Sequence, residues 1–173
     1  MSNIIVFNKS FSDDNALENV INYVISGTEN GEIDYMDNNE FVCHGVNPLS
    51  VQTIINSFNL DKRFYNKTSG KQVHHFILSI YKKNYSGIQN NKEWASLLMN
   101  ELSYYLREEG FKNIACVHVA YGDNVHIHFA VNSVNSFTGK KLINEKIFYG
   151  DILTYLRRNF KILNWESTIF KNF

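Results

Sequence analysis

The sequence predicts one α+β domain over residues 1–173, in which helices pack mainly on one face of an antiparallel sheet. Strand-like and helix-like segments of unequal length alternate along the chain. Two β-rich runs, residues 114–119 and 125–132, flank a short turn-forming stretch at residues 122–124 that can fold them into a hairpin. The hydrophobic content of 44 % is sufficient for a substantial core in a chain of 173 residues.

The first quarter of the chain predicts a strand, a helix and a loop. Residues 4–7 form a short apolar run, and residues 12–15, SDDN, are typical of a helix N-terminus. Apolar side chains then recur at spacings of three and four through residues 16–24, and Gly27 is a suitable C-terminal stop. Residues 28–40 are polar and turn-rich, which predicts a loop.

Residues 41–72 predict a short strand, a second helix and a basic loop. Residues 41–44 are the strand, and Asn47 and Pro48 are expected at the N-cap and first position of the helix. The loop that follows mixes basic side chains with two aromatic ones, Phe64 and Tyr65. This mixture suits phosphate contact and base stacking, although an ordinary exposed loop is an equal alternative. The basic residues are Lys62, Arg63, Lys67 and Lys71.

The remaining segments are a strong strand, two helices and an apolar tail. Residues 73–81 are rich in β-branched and aromatic side chains, which predicts a strand. Residues 93–109 and 147–160 have the apolar stripes of amphipathic helices. The tail, residues 162–173, is β-prone, but its place in the fold is not predicted.

Three histidines make the hairpin a candidate cation site. At the period of two that a strand imposes, His126, His128 and Asn132 share one face, and His118 on the preceding strand can join them. Neutral imidazoles bind Mn²⁺, Co²⁺, Ni²⁺ or Zn²⁺, and Mg²⁺ is a further candidate where a phosphate completes the coordination shell. The alternative is that these are half-buried strand residues hydrogen-bonded to the backbone.

The hairpin residues also carry a family resemblance. His118, the pair His126-Ile127-His128, the following FAVNSVN and the end Thr138-Gly139-Lys140-Lys141 resemble the third motif of the plasmid mobilisation relaxases, members of the HUH endonuclease superfamily. Residues 19–25, NVINYVI, resemble the first relaxase motif, and His75 with Ser79 resembles the second. A Gly-Val-Asn segment at residues 45–47 is also similar to one in that family.

The resemblance implies a fold, a reaction and a set of site residues. The fold would be a relaxase-like central sheet of about five antiparallel strands with helices on its faces. Tyr23 would be the nucleophile, and the three histidines would bind a divalent cation, with Mn²⁺ or Mg²⁺ preferred. The resemblance further implies DNA-binding or supporting residues, which are His75, Ser79, Asn132, Lys140 and Lys141. The four basic residues of the loop join them as DNA contacts predicted from composition.

The implied activity is nicking and rejoining of one DNA strand at a transfer origin, which initiates conjugative mobilisation. The enzyme would be a metal-dependent endonuclease that forms a covalent 5′-phosphotyrosine intermediate. Its partners would be single-stranded DNA and accessory relaxosome proteins. The chain departs from the family at Ala120, where relaxases commonly have Asp. Asp123 is the candidate replacement, and a solvated turn aspartate is the alternative.

Two other functions remain open from the sequence. A rolling-circle replication initiator or a transposase shares the histidine pair but uses a downstream tyrosine, for which Tyr149 and Tyr155 are candidates. A non-catalytic module that binds single-stranded nucleic acid is the other possibility, supported by an aromatic content of 14 %.

Composition and charge exclude several classes of protein. No run of about 18 apolar residues and no signal-peptide pattern is present, so we expect a soluble cytoplasmic protein. Cys43 and Cys116 are isolated, which argues against a disulfide framework or a zinc knuckle. The net charge is zero, but residues 1–47 hold one basic and eight acidic side chains, so the basic side chains are concentrated in the rest of the chain.

Overall fold

A computed structural model describes residues 2–7, 9–13, 15–26, 41–81, 91–119 and 124–171. Within these ranges the chain forms six strands and four helices. The strands are β1 (Ser2–Phe7), β2 (Phe41–His44), β3 (Val73–Tyr81), β4 (Asn113–Val119), β5 (Asn124–Asn132) and β6 (Trp165–Lys171). The helices are α1 (Ala16–Ser26), α2 (Val51–Phe64), α3 (Asn91–Glu108) and α4 (Glu145–Asn159). None of these helices is long and apolar enough to span a membrane.

The six strands form one mixed sheet in the order β2-β4-β5-β3-β1-β6. The four pairings from β2 to β1 are antiparallel, and β6 pairs parallel to β1. The predicted α+β class is therefore confirmed. The prediction of a purely antiparallel sheet is wrong because the apolar tail adds a sixth strand beside the first one.

Helices cover both faces of the sheet, which corrects the prediction that they pack mainly on one. Helices α3 and α4 bury Leu98, Leu102 and Ile152 against one face. Helices α1 and α2 bury their stripes, including Ile21 and Phe58, against the other. Both faces are covered because β3, β4 and β5 carry apolar side chains on each of them, so each face must be shielded from water.

The second helix begins later than the sequence predicts. Its N-cap is Ser50, whose side chain accepts a hydrogen bond from the Thr53 N–H, while Thr53 Oγ1 accepts one from the Ser50 N–H. Pro48 lies in a turn before the helix, where the Asn47 side chain accepts a hydrogen bond from the Leu49 N–H. The Asn-Pro signal therefore marks the turn, and the reciprocal Ser-Thr cap starts the helix.

A buried ionic network joins the end of α2 to the sheet. Asp61 Oδ1 accepts a hydrogen bond from Lys112 Nζ at 2.8 Å, and its Oδ2 accepts one from Ser136 Oγ at 2.7 Å. Asn132 Nδ2 lies 3.4 Å from the same Oδ2. The neighbouring Lys62 is only 1 % exposed, and burial lowers its pKa to about 7. Lys62 therefore lies buried in the last turn of α2, and not in the loop where the sequence analysis places it.

We expect Asp61→Ala to lower the free energy of unfolding by about 3–5 kcal/mol, because it leaves the buried ammonium of Lys112 without its ionic partner. Urea denaturation of the wild type and the variant measures this difference. The exposed Asp151 on α4 provides a matched control, since Asp151→Ala should change the stability by less than about 1 kcal/mol. Similar losses in the two variants would contradict a structural role for the network.

Candidate active site

The histidines of the hairpin lie together on the face of the sheet that α1 covers. The β4–β5 register places His118 opposite His126, and His128 follows on the same face two residues later. The ring centroids of His118 and His128 are 4.2 Å apart, and those of His126 and His128 are 6.3 Å apart. His75 joins them from β3, with its Nε2 3.4 Å from Nδ1 of His128.

Burial keeps these imidazoles neutral. It is the largest cause that lowers the pKa of His118, His126 and His128, and it lowers the pKa of His75 to about 3. The neighbouring imidazoles lower the pKa values of His75, His126 and His128 further. Neutral imidazoles retain a lone pair on one ring nitrogen, so this cluster can donate to a cation or accept a proton.

Two lysines that the sequence analysis did not single out also act on the cluster. The positive charge of Lys9 contributes to the lowered pKa of His75, and that of Lys171 contributes to the lowered pKa of His126. Lys171 comes near because β6 pairs with β1, which places it opposite Phe7. No local sequence signal marks either lysine, since Lys171 comes near through the pairing of β6 with β1, and Lys9 follows β1, which pairs with the strand of His75.

Tyr23 lies over the histidine cluster. It projects from α1, and its ring centroid is 5.4 Å from that of His128, 5.5 Å from that of His75 and 6.5 Å from that of His118. Helix α1 is held in this position because its apolar stripe is buried against the sheet and α2. The stripe consists of Leu17, Val20, Ile21 and Val24. The predicted nucleophile and the predicted metal ligands are thus brought together from opposite sides of one site.

The other candidate tyrosines lie on the opposite face of the sheet. Tyr149 is 1 % exposed and belongs to the core beneath α3 and α4. Tyr155 stacks on Tyr105 with a centroid distance of 4.2 Å, and its hydroxyl donates to the Glu101 carbonyl. The sheet therefore separates both from the histidine cluster, and neither shares a surface with it in this conformation.

The imidazoles of His118, His126 and His128 are suitable ligands for a divalent cation, but they are not arranged as the ligands of a complete metal site are. His118 Nε2 lies 2.8 Å from the carbonyl oxygen of Val24, and a carbonyl can only accept, so the His118 proton is on Nε2 and the lone pair is on Nδ1. In the described part of the chain, no three His, Cys, Asp or Glu side chains are grouped so that they could hold a metal ion. The hydrogen bond to Val24 occupies Nε2 of His118 and leaves only Nδ1 for a cation. This is one reason why the three imidazoles do not form a complete metal site.

The other predicted site residues are dispersed. Ser79 pairs with His126 across β3 and β5 and therefore lies on the histidine face. Asn132 does not reach the cluster, because it is buried at the other end of β5 with its amide donating to the Phe58 carbonyl. Asp123 and Ala120 lie outside the described residues, so the proposed replacement of the missing carboxylate stays a prediction.

The predicted basic residues lie in the last turn of α2 and in two neighbouring loops, residues 65–72 and 133–144, and not in the histidine cluster. Arg63, Lys67 and Lys140 are exposed. Lys71 forms an ion pair with Glu145 at 2.7 Å, and Lys141 donates to the Ser69 carbonyl. The two loops are held together by Tyr65, whose hydroxyl donates to the Ser136 carbonyl and whose ring occupies the space where a side chain at Gly139 would lie.

We expect the free energy of unfolding to fall as the pH is lowered below 6.5. The pKa of His75 is about 3 in the folded state and near its ordinary value of 6.5 in the unfolded state, so only the unfolded state binds this proton between these values. The stability should therefore fall by about 1.4 kcal/mol per pH unit, or about 2 kcal/mol at pH 5, from this group alone.

Urea denaturation at pH 7.5 and pH 5.0, in a metal chelator, measures the dependence. His75→Phe is the matched variant, because it keeps an aromatic ring to stack on Phe7 but cannot titrate. Its loss of stability between the two pH values should be smaller than that of the wild type by about 2 kcal/mol. The same loss in both proteins would contradict the lowered pKa of His75.

Comparison with protein families identifies the family to which the chain belongs. The family model described as relaxase, MobA/VirD2-like, nuclease domain, matches residues 29–159, about three quarters of the chain. The chain belongs to this relaxase family. Searches of curated proteins and of solved structures gave no match. Family membership makes the protein a DNA-nicking nuclease and implies single-stranded DNA as its substrate.

The matched residues contain one side of the candidate site of this relaxase and omit the other. His75 and the three hairpin histidines lie within residues 29–159, whereas Tyr23 on α1, β1 and the strand β6 lie outside them. The position of Tyr23 beside the histidines is therefore an observation of the folded chain that is independent of the family match.

Proposed function

We propose that this relaxase nicks and rejoins one DNA strand at a transfer origin through a covalent link between Tyr23 and the 5′-phosphate, and that this reaction initiates conjugative mobilisation. The observation that carries the proposal is the packing of the Tyr23 ring against His75 and His128, at centroid distances of 5.5 and 5.4 Å. Tyr149 and Tyr155, the candidates for a downstream nucleophile, lie across the sheet.

The bond changes follow from a nucleophilic displacement at phosphorus. The Tyr23 hydroxyl oxygen forms a bond to the phosphorus atom, and the bond from phosphorus to the 3′-oxygen breaks. The 3′-oxygen takes up a proton and leaves as a 3′-hydroxyl. Because the phosphodiester energy is kept in the phosphotyrosine bond, attack by a 3′-hydroxyl reverses the reaction and rejoins the strand.

Proton transfer from Tyr23 needs an acceptor. A tyrosine hydroxyl has a pKa of about 10, so at neutral pH it is protonated and a poor nucleophile. His75, whose ring faces Tyr23 and which is not one of the proposed cation ligands, is held neutral by burial and keeps a lone pair that can accept a proton. Its lowered pKa makes it a weak base, so the transfer also needs the Tyr23 hydroxyl to become more acidic, which a cation held by the three hairpin histidines would bring about. In this proposal, the histidine face thus accepts the proton that Tyr23 loses during the attack.

His118, His126 and His128 are the residues that would hold a divalent cation. A cation bound there would offset negative charge on the non-bridging oxygens of the scissile phosphate and hold it for in-line attack. Binding through all three imidazoles requires that the His118 ring reorient or use its Nδ1, since its Nε2 is bonded to Val24. Mn²⁺ or Mg²⁺ is the proposed ion, with Ni²⁺, Co²⁺ and Zn²⁺ as alternatives.

The part of the DNA strand that lies beyond the scissile phosphate is proposed to run along the exposed basic side chains at the end of α2 and in the two neighbouring loops. Arg63, Lys67 and Lys140 are exposed and can contact phosphates, and Lys71 lies at the boundary with the site, 5.7 Å from the Phe11 ring centroid. Lys62 is excluded from this role by its burial. Accessory relaxosome proteins remain proposed partners on the strength of the family alone.

The test uses single-stranded oligonucleotides that span the transfer origin of the element encoding the chain, labelled at one end and incubated with Mn²⁺ or Mg²⁺. We expect the 3′-end label to migrate with the protein on a denaturing gel, and the 5′-end label to appear in a released fragment with a free 3′-hydroxyl. Adding a second oligonucleotide with a 3′-hydroxyl should release the adduct as a rejoined strand. A chelator should prevent all three results.

Two outcomes would contradict the proposal. If the 5′-end label is the one that remains on the protein, the link is a 3′-phosphotyrosine and the direction of attack is wrong. If no adduct forms with any of the five cations while the oligonucleotide still binds, the chain is a single-strand binding module rather than a nickase.

A further inference from the structure

A cavity adjoins Tyr23 on the side away from the hairpin. It has a volume of about 680 Å³ and lies between α1 and the described residues around the end of β1, which are Phe7, Lys9, Ser10, Phe11 and Asp13, with Tyr23 and His75 in its wall. This volume is within the range of about 300–1,000 Å³ that is usual for sites of small ligands. Because Tyr23 borders both the cavity and the histidine cluster, a group bound in the cavity would be a direct neighbour of a phosphate held at the site.

Aromatic rings form much of the cavity wall. Phe7 stacks on His75 with a centroid distance of 4.7 Å, and Phe11 meets the edge of the same imidazole at 6.4 Å. Phe11 has a backbone φ of 41°, a conformation that bulky residues rarely adopt. The fold holds it there by a hydrogen bond of 2.8 Å from the Gln72 N–H to the Phe11 carbonyl. A bulky residue kept in this conformation beside a reaction site is a feature associated with ligand binding.

The charges of the cavity favour a planar base rather than a second phosphate. Among the described residues that line it, the ionised side chains are Lys9 and Asp13, so their charges cancel. Asn19 adds an amide to the wall. The Asp13 carboxylate repels a phosphate and accepts hydrogen bonds from amino groups such as those on the edges of cytosine, adenine and guanine, and guanine also presents its N1–H beside the amino group. Thymine has no amino group and offers one N–H, at N3.

We propose that this cavity is a specificity subsite that binds one nucleobase of the DNA strand next to the scissile phosphate, and that it prefers a base with an exocyclic amino group to thymine. The proposal rests on the proposed function, since that function places the scissile phosphate at Tyr23. Phe11 supplies the stacking surface, and Asp13 and Asn19 read the edge of the base. Apart from His75, the residues that line the cavity lie outside the family match, so the match itself does not supply the subsite.

The first experiment measures binding of origin oligonucleotides in which each nucleotide within two positions of the nick is replaced in turn by an abasic site. Fluorescence anisotropy in a chelator gives the affinity without cleavage. In the wild type, one replacement should weaken binding on the order of 5- to 150-fold, because a stacked base is lost. In Phe11→Leu, which keeps an apolar side chain but no ring, the same replacement should cost less than about 3-fold.

Tyr104→Leu is the matched control, since Tyr104 is an exposed ring on α3, which packs on the opposite face of the sheet. It should keep the position dependence of the wild type, and thermal denaturation should show that both variants are folded. An oligonucleotide series with no sensitive position, or a sensitive position that is unchanged in Phe11→Leu, would overturn the subsite.

The adduct assay on the same oligonucleotides separates this failure from failure of the proposed function. If an adduct forms but no abasic replacement weakens binding, the subsite is wrong and the proposed nicking reaction stands. If one abasic replacement weakens binding in a way that depends on Phe11, but no adduct forms, the subsite is supported and the proposed reaction at Tyr23 is wrong.

Base preference is tested at the sensitive position by comparing cytosine, adenine, guanine and thymine. Wild-type protein should bind the best amino-bearing base at least about 5-fold more tightly than thymine. Asp13→Asn replaces a carboxylate by an amide that can also donate to a thymine oxygen, while it retains the oxygen that accepts from the Asn15 N–H. Its discrimination should fall below about 3-fold, and undiminished discrimination would remove Asp13 from the role.

Discussion

Tyr23→Phe is expected to reduce formation of the covalent DNA adduct by at least about 10³-fold, because it removes the attacking oxygen and no other tyrosine among the described residues contacts the histidine cluster. The ring remains, so its contacts with His75 and His128 and the docking of α1 should persist. Adduct formation is followed on denaturing gels, while anisotropy and thermal denaturation report DNA affinity and folding. Both of these should change little.

Tyr155→Phe is the matched control for this prediction. Its hydroxyl bonds to the Glu101 carbonyl on the opposite side of the sheet, so its removal should leave the adduct unchanged. If the adduct survives in Tyr23→Phe and disappears in Tyr155→Phe, the nucleophile is the downstream tyrosine, and the protein works as replication initiators or transposases do.

His126→Ala is expected to weaken binding of a divalent cation by at least about 100-fold and to slow nicking by a similar factor at limiting metal. His126 is the best position for this test because it is less buried than His128, so truncation disturbs the core less. Isothermal titration calorimetry with Mn²⁺ or Ni²⁺ at pH 7.5 measures the affinity in the absence of DNA, and the adduct assay across a metal titration measures the activity.

The control for the metal test is His44→Ala. His44 is at the end of edge strand β2, where it pairs with Asn113 and its ring meets Tyr104, away from the cluster. The His44→Ala variant should bind the cation with the affinity of the wild type. Equal affinities for wild type and His126→Ala would mean that the hairpin is not a metal site and that its histidines act as bases or as structural residues.

Local periodicity was enough to predict the elements that build the site. The alternation in residues 126–132 predicts which side chains share a face, and the structure places His126 and His128 on one face with Ile127 and Phe129 on the other. The apolar stripe of residues 16–24 likewise predicted the buried side of α1. These features depend on neighbours within a few residues, which is why they are readable in the sequence.

Long-range pairings and packing were beyond the same reasoning. The parallel pairing of β6 with β1 joins residues more than 160 positions apart, and no local pattern selects that partner. Burial of Lys62 was missed because a lysine in a basic stretch resembles an exposed residue, and the Asp61 network that surrounds it involves β4, β5 and the loop after β5. The cavity beside Phe11 depends on the docking of α1 over residues 7–13.

The docking of α1 also has a mechanical consequence. Under the proposed chemistry, a DNA strand joined to Tyr23 transmits any tension along it to one helix of 11 residues, which is held to the sheet by its apolar stripe and by the bond from His118 to the Val24 carbonyl. Val24 is the residue after Tyr23, so a pull on the strand acts directly on that bond. If His118 binds a cation as proposed, force on the DNA and the freedom of this histidine to bind it are coupled through a single turn of helix.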